Sequence, residues 1–339
     1  MRSLTITKYG PPEVLQLREA PDPEPGEGEV VIRVRASGLN FADIVARLGL
    51  YPDAPKPPCV VGYEVAGEIE CAGTGVAGRA AGERVLALTR FKGHADRVIV
   101  PAAQAIPLPA GMSMEEGAAL PVNYLTAYRM IHGTGVLPPG ARVLVHMAAG
   151  GVGLAAIQLL RLVPGVTIFG TSSASKHEFL RKEGVHHPID YRTADYAQEV
   201  RRIAGEKALH LVLDPLGGKD TKKSYRLLAP NGRLVAFGFA NMVGGTTRSV
   251  VRVVGQLLSM PRFNPIEMMN SNRTVTGVNL GHLWSETELL GREMAALLAL
   301  HSEGKIRPRV DKVFPLAEGP AAHRYIQERK NVGKVLFAP

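Results

Sequence analysis

Apolar and polar positions change rhythm once along this chain. Over the first 120 residues the apolar positions fall in short runs, at 29–35, 63–69, 83–88 and 96–100, each of which predicts a strand. Pro21, Pro23, Pro25, Gly73, Gly75 and Gly82 punctuate them, the pattern of an irregular β-barrel. From Met112 the pattern alternates. A helical stretch from Met114 to Ile131 leads to Pro138, Pro139 and Gly140, and strand-like runs then recur at 143–145, 166–169, 211–213, 234–237 and 275–278 with helical spacing between them. That alternation predicts an α/β domain built on a parallel, doubly wound sheet. A helix over 288–301 and a terminal strand over 334–337 are assigned back to the barrel. The expected division is therefore a barrel domain of 1–122 and 282–339 around an α/β domain of 123–281, with no internal repeat.

Composition narrows the classes. The chain has 339 residues, 45% hydrophobic and 21% charged, which excludes a disordered or fibrous protein. Two cysteines, Cys59 and Cys71, are too few for a disulfide framework or a four-thiolate zinc site, and both are expected to be buried, inert thiols. The beginning lacks the pattern of a signal peptide, and a cytoplasmic setting is expected. Charge is uneven: residues 1–122 carry 12 Lys and Arg against 15 Asp and Glu, and the remainder 28 against 16. The second part suits an anionic ligand. Its basic residues are scattered, without interleaved aromatics, so nucleic acid is not the expected partner.

The anion has a specific place to sit. After the predicted strand at 142–146 comes Met147-Ala148-Ala149-Gly150-Gly151-Val152-Gly153, then an apolar helix through Leu154, Ile157, Leu159 and Leu160. This is a dinucleotide fingerprint with Ala148, Gly150 and Gly153 at the three small positions. Gly150 lets pyrophosphate approach the backbone, Gly153 lets helix and strand pack closely, and the amides opening the helix meet the anion. About 20 residues on, where an acidic residue would hold the ribose diol of NAD, no carboxylate stands before Glu178. Thr171, Ser172 and Ser173 can donate to a 2′-phosphate and Lys176 can neutralise it, so NADPH is the expected cofactor.

Segments 36–43 and 62–67 resemble those that carry the catalytic zinc of medium-chain alcohol dehydrogenases. In that family a Cys stands at the position of Asn40 and a His at that of Tyr63, and 88–94 contains none of the cysteines of its structural zinc lobe. Asn and a protonated Tyr are poor zinc ligands, so no metal is expected. Asn40, Asp43, Arg47, Gly49 and Tyr51 match the N-x-x-D-x-x-x-R-x-G-x-Y run of the zinc-free quinone oxidoreductase branch. Within it, 123–128, 146–153, 175–177, 188–191, 214–218 and 330–334 are similar to the synaptic-vesicle amine-transport protein homologues. The resemblance runs nearly the whole chain and implies a GroES-like barrel plus a Rossmann domain. It also implies Tyr191 beside Lys176 at the 2′-phosphate, Thr126 and Asn40 near the nicotinamide, and Gly238 and Asn331 along the cofactor cleft.

Without a metal to polarise a simple carbonyl, a conjugated acceptor is the easier substrate, because hydride adds to a carbon whose electrons spread onto oxygen. The expected activity is transfer of hydride from NADPH to quinones or enones, with Asn40, Tyr51 and Tyr63 as donors and a tyrosine or water as proton source. Other catalytic signatures are absent: no Tyr-x-x-x-Lys, G-x-S-x-G, H-E-x-x-H or Walker loop. Two alternatives stay open, an enoyl-thioester reductase and an NADPH-binding adaptor with little catalysis. The second draws on a helical apolar stripe at 250, 251, 253, 254, 257 and 258 flanked by Arg248, Arg252 and Arg262. A membrane-surface helix would read so, but the favoured reading is packing over the cleft or against a second subunit, in a homodimer.

Overall fold

The computed structural model describes all residues 1–339, which form two compact units. The first comprises Met1–Asn123, Gly245–Arg248 and Gly281–Pro339; the second comprises Tyr124–Gly244 and Ser249–Leu280.

The first unit is organised by the strand Glu29–Leu39, in which Val30, Val31, Ile32, Val34 and Leu39 are all buried. Apolar side chains on both sides of one strand mean that both of its faces are covered. Glu64–Ala72 pairs antiparallel along one edge, and the other edge is shared: Arg97–Pro101 lies against 29–33 and Lys334–Ala338 against 37–39. The register Val335↔Leu39 brings the start of the terminal strand to the position where the central strand ends at Asn40. A second small sheet pairs Arg2–Ile6 with Leu15–Glu19 and Cys59–Val60. Its first two strands escape the sequence pattern because each is only five residues long, one nearly all buried and the other nearly all exposed. Cys59 is half-buried, where desolvation raises its thiol, whereas Cys71 is exposed at the end of its strand, against the expectation that both are buried.

The long helix expected from Met114 to Ile131 is broken. Met114–Ala119 and Pro121–Tyr128 are separate helices followed by a π-helical turn, Arg129–Gly133. Pro121 has no N–H to donate and its ring crowds the preceding turn, so it opens the second helix instead of continuing the first.

In the second unit six parallel strands lie in the order His187–Asp190, Thr167–Ser172, Arg142–Val145, Leu209–Asp214, Leu228–Ala236, Thr274–Gly277. By position in the chain this order is 3-2-1-4-5-6, with the reversal beside Arg142–Val145. Ligands of doubly wound sheets bind outside the carboxyl ends of strands at such a reversal. His187–Asp190 is not foreseen by pattern, since only Ile189 in it is aliphatic; as an edge strand it tolerates Pro188. The helix Val250–Leu258 buries none of its residues, with Val251 84% and Leu258 83% exposed, so its stripe is not packed into the core of this chain. No helix is long and apolar enough to cross a membrane.

Candidate functional site

At the carboxyl end of Arg142–Val145 the chain makes a tight turn into the helix Gly151–Leu160. Met147 takes φ +51°, a left-handed conformation, and Gly150 N–H donates to Met147 O at 2.9 Å. A Cβ on Gly153 would lie 2.6 Å from the carbonyl oxygens of both Met147 and Ala148, so only glycine lets the helix sit this close to the turn. The amides of Gly151, Val152 and Gly153 open the helix with no carbonyl a turn behind them, and Ala149 is buried beneath. These are the parts of an anion cradle. The turn is anchored from below by His146, which is buried, with Nδ1 3.2 Å from Thr171 Oγ1 and Nε2 3.0 Å from Ser224 Oγ. Burial pulls its imidazole down to about 4, so it stands neutral at pH 7.

Two neighbouring strands build the segment expected to meet the ribose. Ser172 pairs in register with Asp190, and Tyr191 N–H donates to Ser172 O at 3.3 Å, which brings Tyr191 beside Ser173. Of the three hydroxyls expected here, Thr171 Oγ1 accepts from Met147 N–H at 3.2 Å and Ser172 Oγ donates to Ser173 O at 3.1 Å, so both serve the turn itself. Ser173 Oγ meets Ser175 Oγ at 3.3 Å, and Lys176 closes the short helix that follows, half-buried. Arg192 was not singled out by sequence; its guanidinium lies 5.9 Å from the Tyr191 ring centre, adding a second cation to this edge. Gly238 follows Leu228–Ala236, where a Cβ would stand 3.2 Å from Pro215 O, and Thr126 is buried on Pro121–Tyr128.

In the first unit Asn40 caps the helix Phe41–Arg47, its N–H donating to Asp43 Oδ2 at 2.8 Å. Asp43 is buried and also accepts from Gly62 N–H at 3.0 Å, joining the two segments that carry Asn40 and Tyr63. His94 Nε2 lies 3.3 Å from Asp43 Oδ2 but out of line for a hydrogen bond, while its Nδ1 meets Ser37 Oγ at 2.9 Å. Arg47, wholly buried, holds Gly10 O and Gln327 Oε1. The residues of the N-x-x-D-x-x-x-R run thus build the local fold around Asn40.

The Asn40 side chain is itself engaged. Its Nδ2 donates to Glu64 Oε1 at 3.0 Å and makes a long 3.3 Å contact to Gly38 O, and its Oδ1 accepts from Lys334 Nζ at 2.6 Å. Lys334 and Glu64 form an ion pair that is 3% and 0% exposed, and Glu64 Oε2 accepts from Val122 N–H at 2.6 Å. Neither Glu64 nor Lys334 was foreseen as part of the site, since 270 residues separate them. Tyr63 stands edge-on to Tyr51, ring centres 6.2 Å apart, and 5.4 Å from Phe91. Its hydroxyl is buried without a hydrogen-bond partner. Burial above all, then the Asp43 carboxylate, holds this phenol well above its ordinary range, so it stays protonated. Asn331, in the same unit, donates from Nδ2 to Gly333 O at 2.9 Å.

This donor set does not suit zinc. Asn40 and Tyr63 offer an amide already held on both sides and a neutral phenol; the nearest carboxylates, Asp43 and Glu64, are committed to backbone N–H groups, Asn40 and Lys334. No three His, Cys, Asp or Glu residues gather to hold an ion.

Comparison with known proteins agrees with this architecture. Residues 26–110 match the alcohol dehydrogenase GroES-like domain, and residues 183–336 match the zinc-binding dehydrogenase model. The rat synaptic vesicle membrane protein VAT-1 homolog is 46% identical over 100% of this chain and 84% of its own. A 2-haloacrylate reductase from Burkholderia sp. is 33% identical over 98% of both chains. The Escherichia coli quinone oxidoreductase, crystallised with NADPH, superposes with a TM-score of 0.88 over 100% of both chains at 29% identity. With a GroES-like barrel, a 3-2-1-4-5-6 parallel sheet and these relatives, the chain belongs to the medium-chain dehydrogenase/reductase family and is an oxidoreductase of the quinone oxidoreductase type.

Proposed function

We propose that this protein reduces quinones and α,β-unsaturated carbonyls with NADPH, without zinc. The observation that carries the reading is the pair of neutral hydrogen-bonding groups, the Asn40 amide and the unpartnered Tyr63 hydroxyl, at the two positions where zinc-dependent relatives place metal ligands. Such donors suit an oxygen that gains charge through conjugation, where a modest share of stabilisation is enough. Tyr51 borders the same space through its ring contact with Tyr63.

The second unit fits the cofactor. Ala149, Gly150, Gly151, Val152 and Gly153 would cradle its pyrophosphate, and Ser173, Lys176 and Tyr191, with Arg192 beside Tyr191, would hold the 2′-phosphate. Thr126, Asn40, Gly238 and Asn331 complete its contacts in this reading. Bound NADPH supplies a hydride; a proton from Tyr63 or water completes addition across the conjugated system. The NADPH complex of the E. coli quinone oxidoreductase and the substrate named for the haloacrylate reductase, a conjugated acid, support both halves.

The test is NADPH oxidation by the purified protein with a panel of quinones, enals, enones and an enoyl thioester, against saturated ketones. Turnover confined to conjugated acceptors is expected. Tight NADPH binding with no acceptor turned over would replace this reading with that of a binding protein, and liposome pelleting of wild type against Val253→Asp would then follow.

A further inference from the structure

The buried ion pair at the end of the barrel does more than cap a helix: Glu64 Oε2 takes the Val122 N–H, while its Oε1 and Lys334 are turned to Asn40. Well-packed apolar residues of similar volume often stabilise a fold as well as or better than a buried ion pair, and here both charged partners lie beside a half-exposed residue of the proposed acceptor site. The strand order explains how they meet. Glu64 begins the strand on one edge of Glu29–Leu39 and Lys334 begins the strand on the other, so the central strand should separate them. It does not, because Gly38 stands between: a Cβ there would be 2.4 Å from Glu64 Oε1. The missing side chain opens the path by which Glu64 reaches Lys334.

We propose that Lys334, with Glu64 as its counter-ion, is a positioning residue that orients and polarises the Asn40 amide for the acceptor oxygen. This rests on the reading of Asn40 as a donor in the acceptor site. Lys334 Nζ sits 2.6 Å from Asn40 Oδ1, and Glu64 Oε1 takes one Nδ2 hydrogen at 3.0 Å. The carboxamide is thereby fixed in one of its two flip states, since the ammonium demands the oxygen and the carboxylate demands the nitrogen. The other Nδ2 hydrogen has only the 3.3 Å contact to Gly38 O, which leaves it available to a stronger acceptor. A cation on the amide oxygen draws electron density from the nitrogen and strengthens that remaining N–H, as hydrogen bonds in a chain polarise one another. Glu64 keeps the cluster neutral, so the ammonium acts through Asn40 without drawing in a free anion.

The test uses the full chain with NADPH and an acceptor it turns over. Lys334→Met alone would strand a buried carboxylate and endanger folding, so the main variant is Glu64→Gln with Lys334→Met. Its kcat is expected to fall about tenfold with NADPH affinity within about twofold of wild type. In an Asn40→Ala background the same pair should change kcat by less than about twofold, because the group they act through is gone. Gly38→Ala, which keeps all three polar side chains but intrudes on Glu64, should lower kcat in the same direction. The resonances of the Asn40 side-chain amide in protein with isotope-labelled asparagine should shift in both variants relative to wild type. A folded double variant with wild-type kcat, an equal loss in the two backgrounds, or unmoved amide resonances would overturn the inference while leaving the enone-reductase reading in place. Failure of every conjugated acceptor in wild type would overturn that reading and this inference with it.

Discussion

Tyr63→Phe should make this protein more stable and less active. The substitution removes one oxygen and keeps the ring, so the edge-on contact with Tyr51 and the packing against Phe91 survive. What is lost is a buried hydroxyl without a partner, and a polar group taken from water without compensation costs roughly 1–3 kcal/mol in proteins. Taking the low end, about 1 kcal/mol is returned to the folded state, which raises Tm by about 2–4 °C for a domain of this size. The same hydroxyl, if it donates to the acceptor oxygen as negative charge develops, is worth roughly two orders of magnitude in kcat. Thermal unfolding of the apo-protein and steady-state kinetics with a quinone, each on wild type and variant, measure the two effects separately. NADPH affinity should not change. A Tm that falls would show that the hydroxyl has a partner in solution, and a kcat within about threefold of wild type would make Tyr63 a packing residue, leaving water as proton source.

At the ribose end, NADPH should bind more than about tenfold tighter than NADH, and Lys176→Ala should erase much of that ratio, since about 1.4 kcal/mol is tenfold; equal affinities of wild type for the two cofactors in a fluorescence titration would refute the assignment. His146 is held neutral by burial, with its folded value near 4 against an ordinary value of 6.5, so the unfolded chain takes up the proton first as pH falls. Stability present above pH 6.5 should therefore be lost between about 6.5 and 4, at up to about 1.4 kcal/mol per pH unit for this group. Buried His323 adds to the same slope, so the diagnostic is the difference in Tm against pH between wild type and His146→Gln; parallel curves would contradict it. Elemental analysis should find no stoichiometric zinc and chelators should leave turnover unchanged, whereas one zinc per chain would mean that Asn40 and Tyr63 have been misread as substitutes for ligands.

Much of this protein was written in local sequence. The alternation of strand-like and helical runs after Met112 is enough for a parallel α/β sheet, because each element must bury an apolar face that its own periodicity declares. The fingerprint from Ala148 to Gly153 is legible for a similar reason: its chemistry lies within one turn, where glycine is required by carbonyls only a few residues away. Pro121, which splits the expected long helix, was equally local and could have been read.

Other features depend on distance in the chain. Asn40 and Tyr63 were recognisable as departures from metal ligands, but nothing near either one says that Glu64 and Lys334 clamp the Asn40 amide, or that the Tyr63 hydroxyl is left alone. Those facts require strand register across the barrel and the gap at Gly38, and register is a property of paired strands rather than of any one of them. Likewise Ser172 and Thr171 look like phosphate donors in sequence, and only the fold shows their hydroxyls turned to the backbone, with Tyr191 and Arg192 brought alongside by a neighbouring strand. Sequence determined which chemical groups this protein has and the elements that carry them; the tertiary structure decided which of those groups are already satisfied by one another and which, like the Tyr63 hydroxyl, are not.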